Sequence, residues 1–144
     1  MREYFQKKRD ELLANAAELV GFETPSSDKA RCDALADRLM ERFAGLGMIE
    51  RIANPKGGDH VAVRVAAPEH ADERPALLIC HYDTVWPLGT LAARPFKVEG
   101  DIAYGPGLYD MKASIAMCEQ ALRAVGPLGL RLSHPVILLL TSDE

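Results

Sequence analysis

The stretch Ala76-Leu77-Leu78-Ile79-Cys80-His81-Tyr82-Asp83 joins an apolar run to a histidine and an aspartate. A run of apolar residues without alternation is typical of a strand that is covered on both faces of a sheet. The stretch therefore predicts a buried strand over residues 76–80, with His81 at its carboxyl end. A second run of this kind, Pro135 to Thr141, leads into Ser142-Asp143-Glu144.

The segments around these runs have helical periodicity. Apolar side chains recur at helical spacing from Tyr4 to Val20, from about Lys29 to Ala44 and from about Met111 to Ala124, and a glycine follows each segment closely. Shorter strands are predicted over residues 48–53 and 60–66, and a hairpin over residues 96–104. Helices that alternate with apolar strands indicate an α/β fold with a largely parallel or mixed sheet flanked by helices.

Composition excludes several classes of protein. The chain has 144 residues, a length typical of one domain, and 48% of them are hydrophobic, which argues against disorder. Its net charge of −4 is spread without basic clusters, so no nucleic-acid partner is predicted. No segment reads as a signal peptide or a membrane span, and a cytoplasmic location is the default expectation. The cysteines Cys32, Cys80 and Cys118 lack paired spacing, so we expect free thiols that do not bind a metal.

Polar residues that could carry chemistry follow the apolar runs. Ligands collect beyond the carboxyl ends of strands in α/β sheets, where His81, Asp83 and Glu144 are predicted to lie, and Asp110 lies in a glycine-rich loop before a helix. His81 and Asp83 are two residues apart, so the carboxylate can bond one ring nitrogen while the other nitrogen binds a metal. Taken singly, each residue has a plainer interpretation: a strand end, a turn, a helix N-cap at Asp110 and a solvated glutamate at Glu144.

The combination resembles a known family. Three stretches carry the resemblance: His81-Tyr82-Asp83-Thr84-Val85-Trp86-Pro87, Pro95-Phe96-Lys97-Val98-Glu99-Gly100-Asp101 and Tyr104-Gly105-Pro106-Gly107-Leu108-Tyr109-Asp110-Met111-Lys112. With Glu144, they are similar to the zinc aminoacylase and carboxypeptidase family that includes acetylornithine deacetylase, succinyl-diaminopimelate desuccinylase and glutamate carboxypeptidase. The glutamate carboxypeptidase branch is the most similar. The resemblance implies the catalytic domain of a di-zinc exopeptidase.

The resemblance also implies roles for single residues. His81 would ligate one zinc ion, Asp83 would orient His81, Asp110 would bridge two zinc ions, and Glu144 would be the general base. The cofactor would be Zn²⁺, two ions per site in the complete enzyme, with Co²⁺ as an alternative. The substrate would be a small peptide or an N-acyl amino acid, cleaved at an amide bond next to a free carboxylate.

The family pattern further implies ligands and a lid or dimerisation domain beyond Glu144. We therefore expect residues 1–144 to be the N-terminal part of a catalytic domain that is inactive alone. A homodimer would form only through the absent domain. Two other hypotheses stay open: a non-catalytic remnant or subunit that needs a separate C-terminal half, and a general α/β binding module.

Residues outside the motifs carry weaker expectations. Trp86 and Phe96 line either the mouth of the site or the core, and His60, His70 and His134 have no motif context.

Overall fold

A four-stranded mixed sheet lies at the centre of the fold, as the alternation of helices and apolar strands predicted. The computed structural model describes all 144 residues. The helices are α1 (Arg2–Lys7), α2 (Arg9–Gly21), α3 (Lys29–Phe43), α4 (Thr90–Ala93) and α5 (Ala113–Ala124). The strands are β1 (Met48–Ile52), β2 (His60–Val65), β3 (Ala76–His81), β4 (Lys97–Glu99), β5 (Ile102–Tyr104) and β6 (Val136–Thr141). A 3₁₀ turn covers Pro68–His70, a π turn covers Leu108–Lys112, and none of the helices is long and apolar enough to cross a membrane.

The strand order brings two carboxyl ends to the same edge of the sheet. The order is β1-β2-β6-β3, with β3 parallel to β6 and the other pairs antiparallel. In the parallel pair Ala76 lies opposite Val136 and His81 lies opposite Thr141. The residues that follow Thr141 therefore emerge beside His81, while β4 and β5 form a separate hairpin.

The core lies between the sheet and the helices. Val61 and Val63 of β2 are paired with Leu140 and Leu138 of β6, and all four side chains are fully buried. They form one cluster with the apolar faces of α2, α3 and α5, which includes Leu19, Leu35, Leu39, Phe43 and Ile115. Burial of one such leucine side chain contributes about 1.5–3 kcal/mol of transfer free energy. This packing holds the end of β6 against β3, where the candidate residues lie.

The prediction that β3 is covered on both faces is wrong for most of the strand. β3 is an edge strand that pairs with β6 alone, and Leu77, Leu78 and Ile79 are 54%, 39% and 58% exposed. Only Cys80 of the predicted run is buried. The apolar composition is that of a covered strand, but no strand pairs with its outer edge and Leu77 to Ile79 stay exposed.

Several predicted boundaries also shift. The predicted first helix is divided at Lys8, whose carbonyl accepts a hydrogen bond from the Gln120 side chain at 3.1 Å. Asp28 caps α3 as its sequence position predicted, because its carboxylate accepts a hydrogen bond from the Arg31 amide at 3.2 Å. The predicted helix from Met111 begins at Ala113, since Asp110 and Met111 have non-helical backbone angles.

Candidate metal centre

His81 lies between two carboxylates at the end of β3. Its Nδ1 atom is 3.4 Å from Asp83 Oδ1, and its Nε2 atom is 2.9 Å from Asp110 Oδ1. The neighbouring Cys80 is buried in the core, so the alternation of the strand directs His81 toward the site. Each ring nitrogen thus faces a different acidic side chain.

The contacts of Asp83 select one tautomer of His81. The Asp83 backbone carbonyl, 3.2 Å from His81 Nδ1, can only accept a hydrogen bond, so Nδ1 carries the proton. The Asp83 side chain is fully buried, and its Oδ1 atom has no hydrogen-bond partner other than the approach of His81 at 3.4 Å. The other oxygen, Oδ2, accepts a hydrogen bond from the Glu144 amide at 3.2 Å. In the neutral ring this arrangement leaves the Nε2 lone pair available to a metal.

Asp110 is presented by a loop that passes close to the segment after β3. Gly107 has a φ of +66°, and a Cβ atom added there would lie 2.4 Å from the Thr84 side chain, so glycine is required. The Asp110 side chain is 67% exposed, and the peptide bond that joins Asp110 to Met111 is cis. Asp110 is not a helix N-cap, because the regular helix begins three residues later at Ala113.

Lys112 anchors this loop, a role that the sequence did not indicate. Its side chain is fully buried, and its ammonium donates a hydrogen bond to the Phe22 carbonyl at 2.6 Å. Burial lowers the pKa of Lys112 to about 8. The one signal was helical spacing, since Lys112 precedes the buried Ile115 and Ala116 by three and four residues.

Glu144 completes a cluster of three possible metal ligands. Its Oε2 atom is 3.7 Å from His81 Nδ1, and one ligand atom each of His81, Asp110 and Glu144 lie within 4.8 Å of one another. One imidazole and two carboxylates are donors that Zn²⁺ accepts, so the residues fit this metal. Although burial lowers the pKa of His81, the hydrogen bond that its ring donates to Asp110 and the charges of Glu144 and Asp83 outweigh burial and raise that pKa overall. A metal that binds here must therefore displace a proton more firmly held than usual.

The remaining sequence candidates lie outside this cluster. His60, His70 and His134 are not members, and the Nδ1 atom of His60 is buried without a partner. Phe96 packs against the core, whereas Trp86 lines a cavity with Arg94 and Tyr104. All three cysteines are free thiols, as expected.

A cavity of about 650 Å³ lies at the other end of the sheet. It is lined by Pro75 and Val136 at the amino ends of the parallel strands, whereas His81 and Thr141 end these strands. It contains no member of the three-ligand cluster. Its size alone does not make it the functional site.

His81, Asp110 and Glu144 lie at the carboxyl edge of the mixed sheet, the edge at which α/β folds bind their ligands. Solved structures agree on the fold. Human carnosine dipeptidase 1 superimposes with a TM-score of 0.81 at 15% identity, over 99% of this chain and 34% of that chain. The di-peptidase Dug1p from Saccharomyces cerevisiae superimposes with a TM-score of 0.77 at 13% identity, over 94% of this chain and 32% of that chain.

Sequence comparison identifies the family. Residues 77–144 match the sequence model of Peptidase family M20/M25/M40. Carboxypeptidase G2 of Pseudomonas sp. (strain RS-16) is 31% identical over 153 aligned positions, which cover 96% of this chain and 36% of the relative. The chain belongs to this family of zinc metallopeptidases. It spans about a third of the length of these relatives.

Proposed function

We propose that this chain carries part of the zinc site of a peptidase or amidohydrolase that cleaves an amide bond next to a free carboxylate. The observation that carries the proposal is the convergence of His81, Asp110 and Glu144 within 4.8 Å. The 31% identity to a protein named carboxypeptidase supports the choice of substrate class, a small peptide or an N-acyl amino acid.

Each residue has a chemical role in this proposal. His81 Nε2 and an Asp110 oxygen hold the metal, and the buried Asp83 carboxylate keeps the His81 proton on Nδ1. A zinc ion held by these residues would supply the charge that polarises the amide carbonyl and lowers the pKa of water. Glu144 takes a proton from the attacking water onto a carboxylate oxygen and delivers it to the leaving amine nitrogen.

The number of ligands limits what the chain does alone. If Glu144 is the base, His81 and Asp110 are the two remaining ligands of the cluster, whereas catalytic zinc usually has three protein ligands. We therefore expect zinc binding without turnover in this chain by itself. In the whole protein, Asp110 would be a ligand that a second zinc ion could share.

A second candidate function is that of a subunit that needs a complementary polypeptide. The exposed apolar edge of β3, with Leu77 and Ile79 more than half exposed, favours it. Such an edge is a ready template for another strand.

Zinc binding tests the main proposal. Calorimetric titration of the metal-free chain with Zn²⁺ should show saturable binding, and His81→Ala should weaken it at least tenfold because a direct ligand is lost. His134→Ala is the matched control, since His134 is exposed and outside the cluster. Equal affinity in the wild-type and His81→Ala proteins would contradict the proposal.

Turnover is the second readout of the same preparation. We expect no measurable hydrolysis of N-acetylglutamate at saturating zinc. Zinc-dependent hydrolysis that disappears in Glu144→Ala would overturn this expectation and would assign the complete reaction to this chain.

A further inference from the structure

The segment between α2 and α3, residues 22–28, holds the stretch of chain that carries Asp83. Thr24 in this segment is fully buried, although it lies in a connection between two helices. Connections of this kind normally lie on the surface, so a fully buried polar side chain in one of them indicates specific contacts. The contacts of Thr24 are with the backbone on either side of Asp83.

Thr24 binds both peptide groups that flank Asp83. Its hydroxyl donates a hydrogen bond to the Tyr82 carbonyl at 2.9 Å, and its own carbonyl accepts one from the Thr84 amide at 2.8 Å. The Thr84 carbonyl in turn accepts a hydrogen bond from the Ser26 amide at 3.1 Å. The backbone of Asp83 is therefore held on both sides by one short segment from a distant part of the chain.

One of these peptide groups also contacts His81. The N–H of the peptide between Asp83 and Thr84 donates its hydrogen bond to the Thr24 carbonyl. The carbonyl oxygen of the same peptide lies 3.2 Å from His81 Nδ1. Thr24 and His81 thus bind opposite ends of a single peptide group, so a displacement at Thr24 reaches the His81 ring.

Two carboxylates compete for the proton of the neutral His81 ring. Asp83 Oδ1 lies 3.4 Å from Nδ1, whereas Asp110 Oδ1 lies 2.9 Å from Nε2. A proton on Nδ1 leaves the Nε2 lone pair available to a metal, and a proton on Nε2 blocks it. The placement of Asp83 therefore influences which ring nitrogen a metal can bind.

We propose that Thr24 is a positioning residue of the metal centre, which holds Asp83 where it keeps the His81 proton on Nδ1 and leaves Nε2 to the metal. The inference rests on the proposed function, because Nε2 is the proposed ligand atom. Thr24 acts through Asp83 and is not a member of the three-ligand cluster. Its effect on the His81 proton needs no metal, so the two proposals can fail separately.

Removal of the Thr24 hydroxyl tests this role. Thr24→Val has no donor, so the Tyr82 carbonyl loses its buried hydrogen bond, whereas Thr24→Ser keeps the hydroxyl. A buried carbonyl without a donor is costly, and we expect the backbone around Asp83 to move toward another partner or water. Circular dichroism and urea unfolding establish that each variant is folded.

The ring nitrogens of His81 report this movement in the metal-free chain. Heteronuclear NMR of the imidazole nitrogens, at a pH where the ring is neutral, distinguishes the two tautomers. His81→Ala identifies the His81 signals among those of the four histidines. We expect Thr24→Val to raise the fraction of His81 with its proton on Nε2, and Thr24→Ser to retain the wild-type fraction. An unchanged fraction in a folded Thr24→Val protein overturns the proposal.

Gln120→Met is the matched control for a general loss of stability. Gln120 is also buried and also donates a side-chain hydrogen bond to a backbone carbonyl, that of Lys8, at 3.1 Å. Neither of these two residues belongs to the three-ligand cluster. Gln120→Met should lower the free energy of unfolding, as Thr24→Val does, and leave the His81 tautomers unchanged. An equal shift of the tautomers in both variants overturns the proposal.

Zinc affinity is the second readout. Thr24→Val should weaken Zn²⁺ binding about tenfold in calorimetric titration, as expected for a residue that orients a ligand, whereas Thr24→Ser and Gln120→Met should bind as the wild type does. Wild-type zinc affinity in Thr24→Val overturns the inference and leaves the metal proposal intact. If the wild-type chain binds no zinc, the proposed function fails, and the His81 tautomers alone decide whether Thr24 positions Asp83.

Discussion

The side chain of Asp83 links the core of the molecule to the candidate metal centre. Its carboxylate is fully buried, lies 3.4 Å from His81 Nδ1 and accepts the Glu144 amide at 3.2 Å. One residue therefore orients both a predicted ligand and the backbone of the predicted base.

Substitution of Asp83 tests this orientation. Asp83→Asn keeps the shape but removes the negative charge that favours the His81 proton on Nδ1, so zinc affinity should fall about 10- to 100-fold. Zinc calorimetry measures the effect, with Asp143→Asn as the control because Asp143 is a neighbouring exposed aspartate. Unchanged zinc affinity in a folded Asp83→Asn protein would remove Asp83 from the site.

The sequence indicated the candidates His81, Asp83, Asp110 and Glu144, and the structure brings all four into one region. It did not indicate the role of Lys112. The role of Lys112 depends on the Phe22 carbonyl, which is 90 residues away in sequence. Spacing along the chain does not predict this contact.

At the scale of elements, one aspartate holds the turn between β1 and β2. Asp59 accepts hydrogen bonds from Lys29 Nζ at 2.6 Å, from Arg51 Nε at 2.8 Å and from the Asn54 amide at 3.0 Å. The hydrogen bond from Lys29, then those from Asn54 and Arg51, lower the pKa of Asp59 far below its ordinary value. The turn is thereby attached to the start of α3.

This pKa predicts a loss of stability in acid. A carboxylate whose pKa is depressed by folding stabilises the folded state above the unfolded pKa, about 4 for aspartate, and the contribution is lost as the pH falls below that value. The free energy of unfolding of Asp59→Asn should therefore be lower than that of the wild type at pH 7. The difference between the two free energies should narrow by pH 3.

Urea unfolding at both pH values measures this difference. Asp72→Asn, at an exposed position without an ion pair, controls for the loss of one charge. If the free energies of unfolding of the wild type and Asp59→Asn differ by the same amount at pH 7 and pH 3, the Asp59 carboxylate is not the source of the difference.

The existence and type of the main elements followed from periodicity, but the environment of β3 did not. The hairpin of β4 and β5 and the helices α3 and α5 lie close to their predicted positions. The run Leu77 to Ile79 was expected to be buried because of its composition, yet burial depends on which elements pack beside it. The Lys8 carbonyl, where the first helix is divided, also accepts a hydrogen bond from Gln120, a contact that no local pattern contains.

At the scale of the whole molecule, the edge strand β3 exposes a run of apolar side chains. Leu77 and Ile79 are two residues apart on one face of the strand, and both are more than half exposed. The unpaired backbone of an edge strand together with apolar side chains favours association with another strand.

A lysine at this edge should suppress such association. We expect Leu77→Lys to lower the concentration-dependent self-association of the isolated chain, because a charge on an edge strand opposes strand pairing. Leu88→Lys is the matched control, since Leu77 and Leu88 are both 54% exposed and Leu88 lies outside the sheet. Sedimentation velocity over a range of concentrations measures the effect, and an equal response in both variants would rule out strand pairing as the cause.

The pairing of β3 with β6 has a consequence for how sequences of this kind tolerate insertions and deletions. Because His81 lies opposite Thr141, the position of Glu144 relative to His81 is fixed by the number of residues in β6. One residue inserted within β6 turns Leu138 or Leu140 out of the core or moves Glu144 away from His81. The same insertion in the segment between α5 and β6 changes neither the burial of Leu138 and Leu140 nor the position of Glu144 beside His81. Length variation should therefore be found in that segment and be absent from β6.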